Sequence, residues 1–469
     1  MKGARRWAVA LALCGWAALA PLAAGADQFS IGGFVRLDHY GGVAEERFYT
    51  NDRVRLTALS RLRAAADSGF WTALLEVTGH VQYDDGGFSV APGALTVRDL
   101  DNLIRRAFLS VRLDAFDVDV GKKFVRWGKV DFLSPLDVIN HANLEVPELD
   151  DRLERTLADP LLHVTAYLSD EVSVELVYVP FLAPYLVDIE ELDMDFELFS
   201  LDVDMEFLHP EVEPFSEWAH SVHAALNYST FLADLQLTYS YYRDQIPDVD
   251  LSGLEERVDG ALIDIEGTVV TSYGRAHNIG LGASFGLDGV GLDGWVVSID
   301  NAAKFHGNNL DGSRIDVKNP EIRSVLQLDH AFAIDQQQFL AIAAVIHRLV
   351  LFDETAWQSD YTPFLENRIG SLSDRELFQD EPSSWYVAGR LQTDFLREQL
   401  NVEATGVWGI TEEVLHLAPR VSYEFTDTWT VAVGANLWFT LGDPDADKTG
   451  VLRRDDAKDN VFIRTTLSY

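Results

Sequence analysis

Cysteine is nearly absent from this 469-residue chain, and its single copy, Cys14, stands close to the amino terminus. Disulfides therefore hold nothing together beyond that point. Long apolar runs are missing too. After residue 26 the longest is Phe339 to Ile346, far short of the roughly 20 residues that a membrane-spanning helix requires. Positive charge is scarce, with 37 Lys and Arg against 75 Asp and Glu and a net charge of −38. A phosphate backbone would be repelled, which disfavours nucleic acid as a partner. The histidines are scattered and no H-E-x-x-H occurs, so nothing recommends an enzyme or a catalytic metal.

What the chain does have is 47% hydrophobic and 11% aromatic residues, too many for a disordered acidic polymer. Residues 1–26 read as a cleaved secretory signal: Lys2, Arg5 and Arg6 precede an apolar stretch from Trp7 to Leu22, and Ala24-Gly25-Ala26 offers a cleavage site. Residues 27–469 are expected to form one domain. Period-two alternation recurs through it in segments of about ten or more residues, the signature of a transmembrane antiparallel β-barrel.

Face assignments follow from the cost of error. In Arg53 to Ala66 the even positions include Val54, Leu56, Ala58 and Leu62, and the odd ones include Arg53, Arg55, Arg61 and Arg63. Slipping the register by one would put four arginines into lipid at about 2–4 kcal/mol each near the midplane. They are therefore assigned inward. The next segment inverts the parity, with Trp71, Ala73, Leu75 and Val77 opposite Thr72, Glu76 and Thr78. Short turns such as 67–69, 114–116, 169–171 and 426–428 alternate with long connections at 129–160, 181–217, 351–383 and 442–459, the layout of short periplasmic turns and long external loops. Phe70, Trp71, Trp295 and Trp429 beside the turns, and Trp127, Trp218 and Trp385 beside the loops, mark two interfacial girdles.

The segments number about nineteen. An even count is required when both ends lie on one side, so Ala261 to Ser272 is assigned to an external loop. The expectation is about 18 strands, with 16 as the alternative. A last strand ending in the aromatic Tyr469 resembles the assembly signal of Gram-negative outer-membrane proteins. That resemblance implies the barrel assembly machinery, outer-membrane lipid and lipopolysaccharide as partners.

Inward positions bring together Arg36, Arg53, Arg55, Arg61, Arg63, Glu76, Arg106, Arg112, Arg323, Arg390, Arg420 and Arg464, mostly on strands near the two termini. These adjoin when the barrel closes. Guanidinium groups hold carboxylate or phosphate in a fork, so such a wall could guide anionic solutes. An ion-pair lattice that merely fills the lumen is an equal reading, because Asp38, Asp394, Glu403 and Glu424 lie inward nearby. The stretch Asp188 to Glu217 holds twelve acidic residues and no Lys or Arg, with carboxylates alternating with apolar residues over Leu192–Leu198 and Leu201–Phe207. It reads as an external hairpin with a solvated acidic face; divalent cations on these loops are the functional alternative.

Loop 129–160 is the candidate constriction, with Trp127, Lys129, Asp137, Asn140, Arg152 and Arg155 as its polar and aromatic residues. Ser134-Pro135-Leu136-Asp137 looks like a helix start, and Glu148/Arg152 and Asp151/Arg155 are spaced i,i+4. A partly helical loop with an apolar face needs cover, which favours folding into the lumen. The run Gly121-Lys122-Lys123-Phe124-Val125-Arg126-Trp127-Gly128 followed by Ser134-Pro135-Leu136-Asp137-Val138-Ile139-Asn140 resembles the strand-then-loop element of porin-like outer-membrane barrels, including alginate-export-type proteins. Resemblance to the latter implies a basic pore passing a polyanionic polysaccharide.

Three other classes are set against a channel. An enzyme lacks a nucleophile with its base, and metallophore receptors need a plug domain, whereas alternation begins at Phe29. A structural or adhesive barrel without an open pore stays open as an alternative, beside a cation-preferring general porin controlled by its acidic loops. The expected function is an outer-membrane channel for hydrophilic, anionic solutes. Replacing Arg61 and Arg63 together by Ser is expected to change ion selectivity, read as a shifted reversal potential, while the far-ultraviolet spectrum stays that of a folded barrel.

Overall fold

The computed structural model describes residues 28–44, 47–66, 69–84, 87–91, 104–142, 156–180, 202–208, 220–244, 248–250, 254–259, 262–272, 274–288, 292–306, 320–334, 337–351, 383–411, 413–441 and 459–469. The expected signal at 1–26 lies outside them. The strands in chain order begin with β1 (Gln28–Ala44), β2 (Arg47–Ala66), β3 (Gly69–Asp84), β4 (Gly87–Ala91), β5 (Ile104–Leu113), β6 (Phe116–Lys123), β7 (His141–Ala142) and β8 (Thr156–Leu157). They continue with β9 (Asp159–Tyr167), β10 (Val172–Val179), β11 (Asp202–Leu208), β12 (Ser221–Ser229), β13 (Ala233–Arg243), β14 (Asp248–Asp250), β15 (Leu254–Asp259) and β16 (Leu262–Ser272). The last nine are β17 (Arg275–Gly286), β18 (Trp295–His306), β19 (Glu321–Ile334), β20 (Gln337–Val350), β21 (Ser383–Phe395), β22 (Leu400–Gly409), β23 (Val414–Thr426), β24 (Trp429–Thr440) and β25 (Asp459–Ser468).

Eighteen of these strands close into an antiparallel barrel. Each pairs with the next barrel strand along the chain, and β1 joins β25 through Phe34↔Ser468 to Val43↔Asp459. β4 is an extension of the β3 hairpin and stands outside the ring. Leu262–Ser272 is also outside it: β16 pairs in parallel with β11 and antiparallel with β14 and β15 in a separate sheet. The even barrel count follows from that exclusion. Asp202–Leu208 thus finds a distant partner; residues 189–200, the other half of the expected hairpin, lie outside the described residues.

Alternation sorts the two faces. On β13, Gln236, Thr238, Ser240 and Tyr242 are buried towards the lumen, and Leu237, Tyr239 and Tyr241 are exposed. On β25, Asn460, Phe462 and Arg464 are buried opposite exposed Val461, Ile463 and Leu467. The outer surface therefore presents a continuous apolar band, to which Ile31, Leu109, Leu176, Ile279, Leu326 and Leu391 contribute. A water-soluble protein rarely exposes so much contiguous apolar surface, and a membrane barrel requires it. At the two ends of the band, Trp295 stacks on His330 at 4.0 Å, Phe425 on Trp429 at 4.4 Å and Trp385 on His347 at 4.0 Å. Trp127 is not part of either girdle. It is turned into the lumen and 1% exposed, and Trp218 lies outside the described residues.

The seam has its own fastening. Gly33 exchanges backbone hydrogen bonds with Tyr469 at 3.1 and 3.0 Å, and the Tyr469 ring covers the place where a Gly33 side chain would stand, its hydroxyl donating to Thr57 O at 3.3 Å. A Cβ on Gly33 would come within 2.1 Å of that same carbonyl. Replacing Tyr469 by Ala removes the ring and its hydrogen bond, about 1–2 kcal/mol together. The expected result is a lower temperature at which the folded barrel loses its fast gel mobility.

Candidate functional site: a chain segment docked inside the barrel

Residues 124–141 leave the top of β6 and turn inward. The turn depends on two glycines. Gly121 has φ +123° and Gly128 φ +109°, values that favour glycine. A Cβ on Gly128 would also lie 2.0 Å from Ser134 Oγ and 2.5 Å from Asp300 Oδ2. Between them, Asn140 clasps the segment's own start: its Oδ1 accepts from Val125 N at 3.1 Å and its Nδ2 donates to Val125 O at 2.6 Å. At the far end, His141 N and Nδ1 contact the Asp159 carboxylate at 3.2 and 2.9 Å.

The wall receives the segment with polar groups aimed into the lumen. Asp300, on β18 and fully buried, is the central one. It accepts from Lys129 N at 2.9 Å, from Val130 N at 3.2 Å and from Ser134 Oγ at 2.6 Å. Gln236 on β13 accepts from Gly128 N at 2.8 Å, and Gln327 on β19 accepts from Asp131 N at 2.6 Å. Trp127 Nε1 donates to Glu175 on β10 at 3.2 Å, and Asn278 on β17 donates to Pro135 O at 3.1 Å. Backbone donors that a helix would use internally are thus spent on the barrel. The expected helix start at Ser134 forms only one turn, with Asp137 N donating to Ser134 O at 3.2 Å, while Pro135 O, the next acceptor a helix would use, is taken by Asn278.

Apolar packing completes the seat. Val125, Trp127, Leu136 and Ile139 cluster with Leu161, Val177, Val179, Ala225 and Ala302. Val130 joins Val325, Ala344, Ile346, Ala388 and Val407, with Phe132 and Tyr386 alongside. Leu136 fits against the bare backbone of Gly280 and Gly282, where added Cβ atoms would meet it at 2.8 and 3.3 Å. The segment therefore reaches from β9 and β10 round to β21, where the Arg390 guanidinium lies 5.6 Å from the Phe132 ring centre.

Of the expected constriction residues, Trp127, Lys129, Asp137 and Asn140 belong to this segment; Arg152 and Arg155 lie outside the described residues. The side chains of Arg53, Arg55 and Arg63 are likewise outside them, and Arg61 is exposed. Arg36, Arg106, Arg112, Arg323, Arg390 and Arg464 are ion-paired. Asp38 holds Arg36 at 2.8 Å and Arg464 at 2.7 Å. Glu76 bonds Arg106, Asp119 holds Arg112 at 2.9 Å, Glu403 holds Arg390 at 2.9 Å, and Glu321 holds Arg323 at 2.7 Å and Arg348 at 3.0 Å. Arg420 is half-buried on β23.

Sequence reasoning missed Asp300, Gln236 and Gln327. Asp300 had a usable signal, since a lone carboxylate in an inward register at mid-strand needs partners. The pentapeptide Gly282-Ala283-Ser284-Phe285-Gly286 does fit the G-x-S-x-G spacing, but it runs within strand β17 and Ser284 is bonded to Ser298 at 3.0 Å. A nucleophile elbow needs a strand-to-helix turn, which is not what β17 supplies.

No protein-family model matches the sequence, and no curated protein matches it. Among solved structures, the chain is similar to OccK5 (OpdH) of Pseudomonas aeruginosa at 10% identity and a TM-score of 0.49, covering 95% of this chain and 98% of that one. It is similar to OccD3 (OpdP) of the same organism at 10% identity and 0.47, covering 95% and 92%. For OmpF of Salmonella typhi, in complex with daunomycin, the values are 11% and 0.42, covering 95% and 98%. Nothing in these names supports the resemblance to alginate-export-type proteins.

Asp300→Ala strips the acceptor from three donors of the docked segment. A loss of about 3 kcal/mol is expected, with Asp300→Asn intermediate. Trypsin should cut the folded variant after Arg126 or Lys129 while sparing the parent barrel.

Proposed function

We propose that the chain is an outer-membrane channel that passes small hydrophilic solutes passively. What supports this is a closed barrel with polar groups facing in, narrowed by a segment seated along one side from β9 round to β21. The passage would run between that segment and the arginine-bearing strands β22–β25 and β1–β5. Solute is bound and guided by charge, with no bond made or broken.

One observation carries the sign of that charge. In three of the lumen's ion pairs the carboxylate is the covered partner and the guanidinium the more open one: side-chain exposures are 44% for Arg323 against 2% for Glu321, 33% for Arg106 against 10% for Glu76, and 27% for Arg112 against 3% for Asp119, whereas Arg36 and Arg464 are buried together with Asp38. A solute moving past meets the cation first. Under this proposal both readings of the arginine wall hold together, as a lattice of ion pairs in which the more exposed partner is the basic one. Buried carboxylates hold each fork at a fixed angle, and a small anion can take the remaining N–H groups.

Partners under this reading are outer-membrane lipid with its lipopolysaccharide and the barrel assembly machinery, the latter through a last strand that ends in Tyr469. The mature chain, refolded into a planar bilayer under a salt gradient, is expected to give a reversal potential of anion-preferring sign. Cation preference would pass control to the acidic external loops, and a barrel with no conductance would leave a structural or adhesive role.

A further inference from the structure

At the external end of the lumen, between the docked segment and the wall, lies a pocket of about 70 Å³. Its chemistry differs from that of the arginine wall. Asp137 comes from the segment, Tyr242 and Asp244 from the top of β13, Lys304 from β18, and Glu321 and Arg323 from β19. Asn278, which also lines it, is anchored to Pro135 O, so one wall of the pocket is fixed to the other. Lys304 Nζ sits 2.8 Å from Asp244, and Arg323 is 2.7 Å from Glu321, which Arg348 holds from behind at 3.0 Å.

Three carboxylates and two cations thus line one small space, with Asp244 and Glu321 buried beneath their cations and Arg323 and the half-buried Asp137 the more open charges. A simple anion entering it would meet Arg323 but also Asp137. A simple cation would meet the reverse. Only a solute that carries both signs finds each of its poles opposite a complementary group and leaves no like charge unmatched. That volume is enough for a head group and too little for a whole large solute. We propose that this pocket is a docking subsite for zwitterionic head groups, one ammonium and one carboxylate close together as in an α-amino acid. The carboxylate takes the uncovered guanidinium edge of Arg323, and the ammonium lies towards Asp137, with the solute's remainder left in the vestibule. This rests on the channel reading and adds to it a stage of recognition before the arginine wall.

The test uses glycine, with acetate and methylammonium as its two poles taken separately, added to the external side of the full mature chain in a bilayer. Glycine is expected to interrupt the open-channel current saturably, at concentrations about tenfold below those at which either control acts. Arg323→Gln and Asp137→Asn should each weaken glycine by about tenfold, and Arg323→Lys, which keeps the charge without the fork, by less. Lys304→Gln serves if either variant fails to fold. Acetate acting as strongly as glycine would assign the effect to the arginine wall, and glycine acting equally on parent and variants would place it elsewhere; either overturns the subsite and leaves the channel standing. A barrel silent in plain potassium chloride would sink the channel reading instead. Calorimetric titration of glycine into the detergent-refolded barrel then decides the subsite by itself, and absence of variant-sensitive binding overturns it.

Discussion

A single carboxylate governs the interior of this barrel. Burying the charge of Asp300 costs several kcal/mol unless its lone pairs are occupied, and among the described residues the groups that occupy them come from residues 129, 130 and 134. The wall and the segment inside it are thus mutually dependent. Without the segment, Asp300 faces the open lumen with water in place of its fixed donors. Without Asp300, the backbone donors of Lys129 and Val130 lose their acceptor. The glycines at 128, 280 and 282 exist in the same arrangement because each would place a side chain where the segment or its anchor already stands.

Much of the architecture could be read from the chain because a two-residue period leaves little freedom. Arginines at 61 and 63, or carboxylates at 76 and 403, cannot face lipid, and one such residue fixes the face of every other on its strand. Even the exclusion of Leu262–Ser272 from the ring follows from parity and the even-number requirement. The docked segment was legible in part: Gly121 and Gly128, the two ends of a short run, take the positive φ that glycine allows, and Asn140 closes on Val125 between them. What could not be read was the seat. Gln236, Asp300 and Gln327 are ordinary inward polar residues until a segment more than a hundred residues away lies against them. Trp127 has two sequence readings, girdle residue and constriction residue, and packing on Val177 and Ala225 decides for the inside.

The electrostatics divide by depth. At the top of β13, β18 and β19 the half-buried Asp137 of the docked segment adds a carboxylate beside the exposed Arg323, whereas elsewhere in the lumen Glu76 and Asp119 lie beneath their arginines. Net charge of the whole protein says little about either place. Much of the acid that dominates the composition belongs to the long connections between strands, and the interior balance depends on which partner of each ion pair is covered.

The contacts that seat the segment also fix an order of events. Lys129 and Asp300 are separated by 171 positions, and Asp131 and Gln327 by 196. Contacts of such span form late, after the intervening chain has been arranged. The first half of the barrel can pair strand by strand through local hairpins, but residues 124–141 have nowhere to rest until β18 and β19 arrive. A partly assembled barrel therefore has an unnarrowed interior and an unsatisfied segment, and the arrival of Asp300 ends both conditions at once. Narrowing of the lumen is, in this protein, a late product of its own assembly.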